Sequence, residues 1–218
     1  MNSSLEKIYR EHHSSRRGDF FLVNGDVRGN FLKDRVGKRQ RVLDIGCRDG
    51  ALTSYYCEGN DVTGIDIDSA ALANAKEKYA IQTIHADLNG EWPVSAGFDV
   101  VVACEIIEHL YYPKLVLGKI YGQLVPGGRL LGSIPHAFSL QSRARLLLAR
   151  KKGTALEDPT HINHFWGPDF KGLIEEAGFV DVEIIDIVSK KFKILSRLFP
   201  YYFAHSFVFS ARRPEGQG

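Results

Sequence analysis

The sequence predicts a doubly wound α/β fold that is built on a mostly parallel sheet of seven strands. Apolar runs alternate with helical patterns along the chain, which is the order expected of strands joined by crossover helices. The segment Phe98–Cys104 is β-branched and apolar on both faces, as in a strand near the middle of such a sheet. Arg41–Ile45 is a second buried strand, and Gly46 and Gly50 follow it at the position of a tight turn.

The other elements follow from periodicity and from helix start and stop signals. Asp68 or Ser69 caps an alanine-rich helix, Gly178 closes the last predicted helix, and Pro126-Gly127-Gly128 marks a turn before the fifth strand. Helices are predicted over Ser69–Tyr79, Pro113–Leu124 and Pro168–Ala177. Strands are predicted over Arg41–Ile45, Asp61–Asp66, Gln82–Ala86, Phe98–Cys104, Arg129–Ile134, Val180–Val188 and Ser206–Ala211.

Composition narrows the class of protein. The chain has 218 residues, 44% of them hydrophobic, which is enough for one sizeable core and predicts a single domain over residues 1–218. A formal net charge of +2 gives no indication of nucleic-acid binding. The three cysteines are scattered without a paired spacing, which disfavours a disulfide framework and favours a reducing cytoplasm. No apolar run reaches the ~20 residues that span a bilayer, so we expect a soluble protein.

The turn after the first strand carries the main functional motif, Asp44-Ile-Gly46-Cys47-Arg48-Asp49-Gly50. In dinucleotide-binding folds such a turn faces a pyrophosphate, but the carboxylate of Asp44 would repel one, so a cationic ligand suits the motif better. This pattern resembles motif I of the class I S-adenosylmethionine (SAM) dependent methyltransferases. The resemblance implies a Rossmann-like sheet with an antiparallel last strand, SAM as cofactor and S-adenosylhomocysteine as product.

Later positions match the same family in order and spacing, from about Val42 to Ile134. Asp66 ends the second strand about 20 residues after the turn, where a carboxylate binds the ribose hydroxyls. Ile67 would lie against the adenine, and Asp87 with Leu88 resembles the position where an acid meets the adenine amino group. The resemblance implies that SAM binds to Asp44, Gly46, Cys47, Arg48, Gly50, Asp66, Ile67, Asp87, Leu88, Cys104 and Glu105.

Arg48 departs from the family pattern, which usually has a third glycine there. Its guanidinium needs space and a counter-charge, which the SAM carboxylate or Asp49 can supply, or else the side chain obstructs the site. An obstructed site would be a SAM-binding protein without turnover. A nicotinamide-dependent oxidoreductase of related topology is a more distant alternative, which Asp44 and the absence of a GxGxxG spacing disfavour.

The segment Glu105-Ile-Ile-Glu108-His109 follows the fourth strand and resembles that of the ubiquinone-biosynthesis O-methyltransferases and related small-molecule methyltransferases. It also resembles the segment with which small-RNA 2′-O-methyltransferases bind a divalent metal ion, with His161 or His164 as a further ligand. Oxygen and imidazole ligands of this kind suit Mg, Mn or Zn. We expect the first alternative, with metal-independent turnover and no nucleic-acid partner.

Methylation of a hydroxyl group requires that the acceptor lose a proton, and histidine is the side chain that ionises closest to neutral pH. The candidate bases are His109, His136, His161 and His164. We rank His164 first and His109 second, with Glu108 beside them, and expect transfer to oxygen of a small-molecule acceptor. Each of these histidines is equally explained as a hydrogen-bonded structural residue.

Segments outside the alternating pattern concern the acceptor. Residues 1–40 are expected to form an N-terminal helical lid, and residues 135–160 a substrate-lid insertion whose Arg143, Arg145 and Arg150 attract an anionic or glycosylated acceptor. Residues 190–203 interleave basic and aromatic side chains, which suits peripheral contact with an anionic membrane or a lipid-linked acceptor. A cap that packs on its own domain explains this last segment as well. The oligomeric state is not readable from the sequence.

Overall fold

The computed structural model describes residues 4–16, 20–22 and 24–216, with the side chains of residues 12–16 left out. Its helices are α1 (Ser4–Arg16), α2 (Gly25–Val36), α3 (Ser69–Tyr79), α4 (Pro113–Gln123), α5 (Leu140–Leu147), α6 (Gly167–Glu176) and α7 (Lys193–Leu198). Its strands are β1 (Arg41–Ile45), β2 (Asp61–Asp66), β3 (Gln82–His85), β4 (Phe98–Cys104), β5 (Leu124–Pro135), β6 (Val180–Ile187) and β7 (Ser206–Arg212).

In the described part of the chain the seven strands form one sheet in the order β3-β2-β1-β4-β5-β7-β6. The pairs among β1 to β5 are parallel, whereas β7 is antiparallel to both β5 and β6. The predicted Rossmann-like sheet with an antiparallel last strand is therefore confirmed. Since β1, β2, β4 and β5 run in the same direction, their carboxyl ends meet at one edge.

Apolar side chains cover both faces of the sheet, because successive residues of a strand point to opposite sides. Leu43 and Val101 face one side, where they join a core with residues of α4 and α6. Val42, Val100 and Val102 face the other side, where residues of α2 and α3 cover them. This double burial explains why the strongest predicted strand is apolar at nearly every position.

Element boundaries differ from the prediction mainly at β5. The strand begins at Leu124, not at Arg129, so Pro126-Gly127-Gly128 lies inside it. The pairing register with β4 shifts between Phe98 and Val100, and Gly127 has a φ of 77°, so the motif forms an irregularity within the strand. A Gly-rich irregularity within a strand and a turn between a helix and a strand have the same sequence pattern. The sequence alone therefore does not distinguish between them.

Two segments outside the sheet are helical. Helices α1 and α2 precede β1, and Leu5 and Tyr9 of α1 line the central cleft. Residues 135–160 contain α5 and a short 3₁₀ turn, and they do not contribute to the described lining of that cleft. Their roles as lids stay predictions. Within the described residues no helix is both long and apolar enough to cross a membrane.

Candidate functional site

A cleft opens at the carboxyl ends of β1, β2 and β4, which is where doubly wound sheets bind their ligands. It encloses about 1150 Å³ when the space open to solvent is included. Every predicted cofactor-binding residue except Gly50 lines it. The structure thus brings together side chains from four separate stretches of sequence, as the motif spacing predicts.

The turn after β1 explains the glycines of the motif. Gly46 has a φ of 73°, and a Cβ there would lie 2.8 Å from the side chain of Ile106. Gly50 also has a φ of 73°, and a Cβ there would lie 2.7 Å from the ring of Tyr79. Both positions require glycine for conformation and for space. Gly50 therefore shapes the turn from behind the cleft wall.

Arg48 adopts the left-handed backbone conformation with a φ of 49°, which explains why a glycine is usual at this place in the motif. Its Nη1 lies 3.3 Å from Oδ2 of Asp49, which is one of the two counter-charges considered above. Asp49 is buried, and its Oδ2 also accepts from the backbone N–H of Phe20. Arg48 is therefore held against the wall of the cleft that it lines.

Asp66, at the end of β2, is positioned by backbone groups. Its Oδ2 accepts from the N–H of Arg48 at 2.9 Å, and its Oδ1 accepts from the N–H of Asp68 at 2.8 Å. Burial raises the pKa of Asp66 to about 6, against the lowering effect of those two N–H groups. A carboxylate has about four acceptor sites, so Asp66 keeps acceptor capacity for two ligand hydroxyls.

Asp44 lies deeper in the cleft. Its Oδ2 accepts from the hydroxyls of Thr53 and Tyr56, each at 2.6 Å. Burial raises the pKa of Asp44 to about 6, and the two hydroxyl hydrogen bonds act in the opposite direction. The cleft therefore contains two carboxyl groups that a cationic ligand would hold in the ionised form.

The remaining predicted cofactor residues also line the cleft. Ile67 and Leu88 form apolar parts of the cleft wall. Oδ1 of Asp87 accepts a hydrogen bond from the N–H of Asn89, which stabilises the turn after β3. Cys47 is buried, and burial raises its thiol pKa well above the usual value. Burial likewise raises the pKa of Cys104 to about 12, so both thiols stay protonated and act as small apolar wall groups.

Glu105 projects into the cleft because its backbone has a φ of 50°, outside any helix. Its Oε1 accepts from the hydroxyl of Ser133 at 2.8 Å and lies 3.7 Å from Nη1 of Arg28. Arg28 comes from α2 and its side chain is 8% exposed. The pair places one negative and one positive group on the same wall, which suits a ligand with an amino-acid tail.

Glu108 and His109 follow in a 3₁₀ turn, and they form a cluster with His161, which lies in a later loop. Oε1 of Glu108 lies 3.8 Å from Nε2 of His109 and 4.0 Å from Nε2 of His161. Glu108 is 1% exposed, and His109 also lines the cleft. The catalytic prediction for Glu108 and His109 therefore falls on one cluster beside the cleft.

The other predicted bases lie elsewhere. His164 is outside the described lining of the cleft, and burial, followed by the charges of His161 and Lys151, lowers its pKa. Nδ1 of His136 interacts with the carbonyl of Ala204, and burial lowers the pKa of His136 to about 4. These positions favour His109 over His164 as the imidazole nearest the ligand. The catalytic roles themselves stay predictions.

Several site residues had no signal in the sequence. Arg28, Tyr9 and Thr53 reach the site from segments that carry no motif, and Tyr56 was indistinguishable from a core aromatic. The sequence indicated these residues only indirectly, through the motif acid Asp44, which needs hydrogen-bond partners when it is buried. Hydroxyl partners for a buried carboxylate are expected in general, but their positions depend on how the chain after Gly50 turns back.

A family model described as a methyltransferase domain matches residues 22–184, well over half of the chain. The chain belongs to this methyltransferase family. Its cofactor is accordingly SAM. The cleft fits this cation, because the carboxyl groups of Asp44 and Asp66 line it beside the glycine turn and ionise at a pKa of about 6.

Curated relatives resemble part of this methyltransferase. An uncharacterised methyltransferase of Mycobacterium tuberculosis is 36% identical over 95 residues, which are 42% of this chain and 48% of the relative. A ubiquinone biosynthesis O-methyltransferase of Pseudomonas fluorescens is 31% identical over 119 residues, which are 49% of this chain and 50% of the relative. The chain thus spans about half the length of the curated relatives it matches.

A solved structure supports the fold of the methyltransferase over its whole length. The Burkholderia thailandensis 1,6-didemethyltoxoflavin-N1-methyltransferase, solved with bound S-adenosylhomocysteine, superimposes with a TM-score of 0.67 at 19% identity. The alignment covers 97% of this chain and 88% of that one. At this identity the similarity concerns the fold alone.

Proposed function

We propose that this methyltransferase transfers the methyl group of SAM to a hydroxyl oxygen of a small-molecule acceptor. The observation that carries the proposal is the Glu108–His109–His161 cluster, which adjoins the cofactor cleft through His109. A hydroxyl must lose its proton as it attacks a methyl group, whereas a free amine needs no base to attack. A carboxylate with two imidazoles is a group that can promote that loss.

SAM supplies an activated methyl group on a sulfonium. The protein's task is to align the acceptor with that methyl group and to exclude water. Glu105, Arg28 and Asp44 orient the cofactor, and the walls formed by Ile67 and Leu88 exclude water. The cluster, which adjoins the cleft through His109, then promotes the loss of the hydroxyl proton.

We propose further that the acceptor carries an apolar or anionic group, and that this group binds to the protein outside the cleft. We define the basic apolar surface as residues 140–152 together with residues 190–203. Leu147 is 88% exposed and Ile194 is 76% exposed, and the charged side chains of both segments are basic. The segments touch, since the N–H of Leu140 donates to the carbonyl of Tyr202 at 2.7 Å.

Two observations support a lipid-linked or membrane-associated acceptor. The basic apolar surface follows β5 and β6, so both segments leave the sheet at the edge where the cleft lies. Exposed apolar side chains among cations suit an anionic bilayer. Arg143 contributes differently, because its guanidinium lies 4.8 Å from the ring centroid of Trp166 and so joins α5 to that ring.

The proposal includes a reducing cytoplasmic compartment, supported by Cys47, Cys57 and Cys104, which form no disulfide.

The test is methyl transfer from isotope-labelled SAM to a panel of matched acceptors, followed by mass spectrometry. The panel holds phenols, lipid-linked phenols, the corresponding anilines and methyl ethers, and a short RNA with a free terminal 2′-hydroxyl. We expect label on phenolic oxygen only. Label on aniline nitrogen alone would contradict O-methylation, and label on the RNA alone would favour a 2′-O-methyltransferase.

A further inference from the structure

The Glu108–His109–His161 cluster has the composition and geometry of a metal site, although we expected metal-independent turnover from the sequence. Its three candidate ligand atoms, one from each residue, lie within 4.8 Å of one another. Oε1 of Glu108 is 3.8 Å and 4.0 Å from the two imidazole Nε2 atoms. These separations are too long for direct hydrogen bonds. Ligands at about 2.1 Å from one ion would be about 3.4 Å apart, so modest side-chain movement closes the site.

Both imidazoles are oriented by their other nitrogen. Nδ1 of His109 is 2.8 Å from the carbonyl oxygen of Thr160, and Nδ1 of His161 is 3.1 Å from that of Ala155. A carbonyl only accepts, so each Nδ1 carries the proton and donates. In the neutral form of each ring the lone pair is then on Nε2, which is the atom that would coordinate an ion. This outer hydrogen bond is the arrangement that positions histidine ligands in metal sites.

The two halves of the cluster are also joined by backbone hydrogen bonds. The N–H groups of Ile162 and Asn163 donate to the carbonyl of Glu108 at 3.1 and 2.9 Å, and Nδ2 of Asn163 donates to the carbonyl of Leu110 at 2.6 Å. His161 is therefore held opposite Glu108 although the two are far apart in sequence. The site is organised before any ligand arrives.

We propose that Glu108, His109 and His161 bind one divalent transition-metal ion, such as Mn²⁺ or Zn²⁺. Two imidazoles and one carboxylate suit these ions, whereas Mg²⁺ and Ca²⁺ prefer oxygen ligands throughout. Three protein ligands leave coordination positions open, as in catalytic metal sites. His164 is not part of the cluster. Glu105 is not part of it either, and its carboxylate contacts Ser133 and Arg28 instead.

The role of the ion rests on the proposed function. An ion held by Glu108, His109 and His161 would polarise the acceptor hydroxyl and lower its pKa. The O–H bond then breaks with its proton passing to water, the new O–CH₃ bond forms as the S–CH₃ bond of SAM breaks, and S-adenosylhomocysteine leaves. In this account His109 is a ligand and not the base, because its Nε2 is occupied.

The first experiment measures metal binding alone. The purified chain is stripped with a chelator, and Mn²⁺ and Zn²⁺ are titrated by calorimetry, with metal content checked by mass spectrometry. We expect one ion per chain. Glu108→Gln and His161→Gln should each weaken binding at least 100-fold, since loss of an outer-shell partner alone costs about 10–100-fold. His164→Gln, three residues along the same loop, should bind as the parent does.

A measurement on the unaltered chain guards against misfolded variants. Paramagnetic Mn²⁺ should broaden the imidazole NMR signals of His109 and His161 before that of His85. Absence of binding by the parent, or equal binding by a folded Glu108→Gln variant, would overturn the metal site. If metal binds but chelation leaves methyl transfer unchanged, the site stands and its catalytic role fails.

Discussion

The cofactor half and the acceptor half of the site are built in different ways. The cofactor half comprises Asp44, the glycine turn and Asp66, which lie at the ends of two adjacent strands within about 20 residues of sequence. The acceptor half joins Glu108 and His109 to His161, about 50 residues further along, through a loop without regular structure. A half-site that is local in sequence carries a complete motif, whereas the motif of one assembled by a returning loop covers its first part and leaves the loop residue open.

The largest expected effect is the loss of SAM affinity in Asp66→Ala, which tests the cofactor half. Two ribose hydroxyl hydrogen bonds to a carboxylate, at about 1.5 kcal/mol each, predict a loss of SAM affinity of about 100-fold. Calorimetry with SAM measures it. Asp61→Asn is the matched control, because Asp61 lies exposed at the other end of the same strand and should bind as the parent does. Unchanged affinity in Asp66→Ala would remove the cofactor assignment.

The positions of the cofactor residues could be predicted from the sequence, whereas the later partner of Glu108 could not. The motif acid, the glycines and Asp66 lie at the ends of β1 and β2, where the apolar pattern of each strand places them, and their roles in binding SAM stay predictions. The partner of Glu108 could not be chosen between His161 and His164. They are three positions apart, and the backbone hydrogen bonds from Ile162 and Asn163 to the carbonyl of Glu108 hold His161 near its carboxylate.

A second effect concerns pH in the cofactor half. Burial raises the pKa of Asp44 and of Asp66 to about 6, and the cationic ligand needs them ionised. SAM affinity should therefore fall at least about tenfold between pH 7 and pH 5, since one required group of pKa 6 loses about tenfold of its ionised form. Titrations at fixed ionic strength measure it. Asp66→Asn should flatten part of this dependence.

Stability without cofactor should show the opposite sign. A carboxyl group whose folded pKa lies above its unfolded value contributes stability that is present at low pH and is lost as the pH rises through about 6. For these two groups the ligand-free chain gains stability from pH 7 down to pH 5, while SAM binding weakens. Burial lowers the pKa of His136, His164 and His205, and these groups act in the opposite direction over the same pH range. The measurement is therefore the difference in melting temperature between the parent and Asp66→Asn at pH 7 and at pH 5 without SAM. A difference that does not move in favour of the parent toward pH 5 would contradict the assignment.

A smaller effect is expected on the basic apolar surface of the acceptor half. Leu147→Ser should weaken binding to anionic phospholipid vesicles about fivefold, because roughly 1 kcal/mol of apolar burial is lost. Co-sedimentation measures it, and SAM affinity should stay the same. Leu115→Ser is the control, since Leu115 is 64% exposed on α4. Equal vesicle binding by both variants would assign the surface to a solvent-exposed cap.

The smallest effect tests the departure from the motif. Arg48→Gly and Arg48→Ala both remove the ion pair with Asp49, but alanine keeps a Cβ at a positive φ. The glycine variant should be more stable than the alanine variant by on the order of 1 kcal/mol. Denaturant unfolding measures the difference. Equal stabilities would show that the backbone at this position relaxes, and a gain in SAM affinity in both variants would show that the arginine obstructs the cleft.

The boundary between the two halves falls within the five residues from Glu105 to His109, and one pair of titrations tests it. S-adenosylhomocysteine and Mn²⁺ are titrated separately into Glu105→Gln and Glu108→Gln. We expect Glu105→Gln to weaken S-adenosylhomocysteine about tenfold and to leave Mn²⁺ unchanged, because its loss concerns one charged contact in the cleft. Glu108→Gln should do the reverse. If both substitutions weaken both ligands alike, the site is a single unit and the division into two halves is wrong.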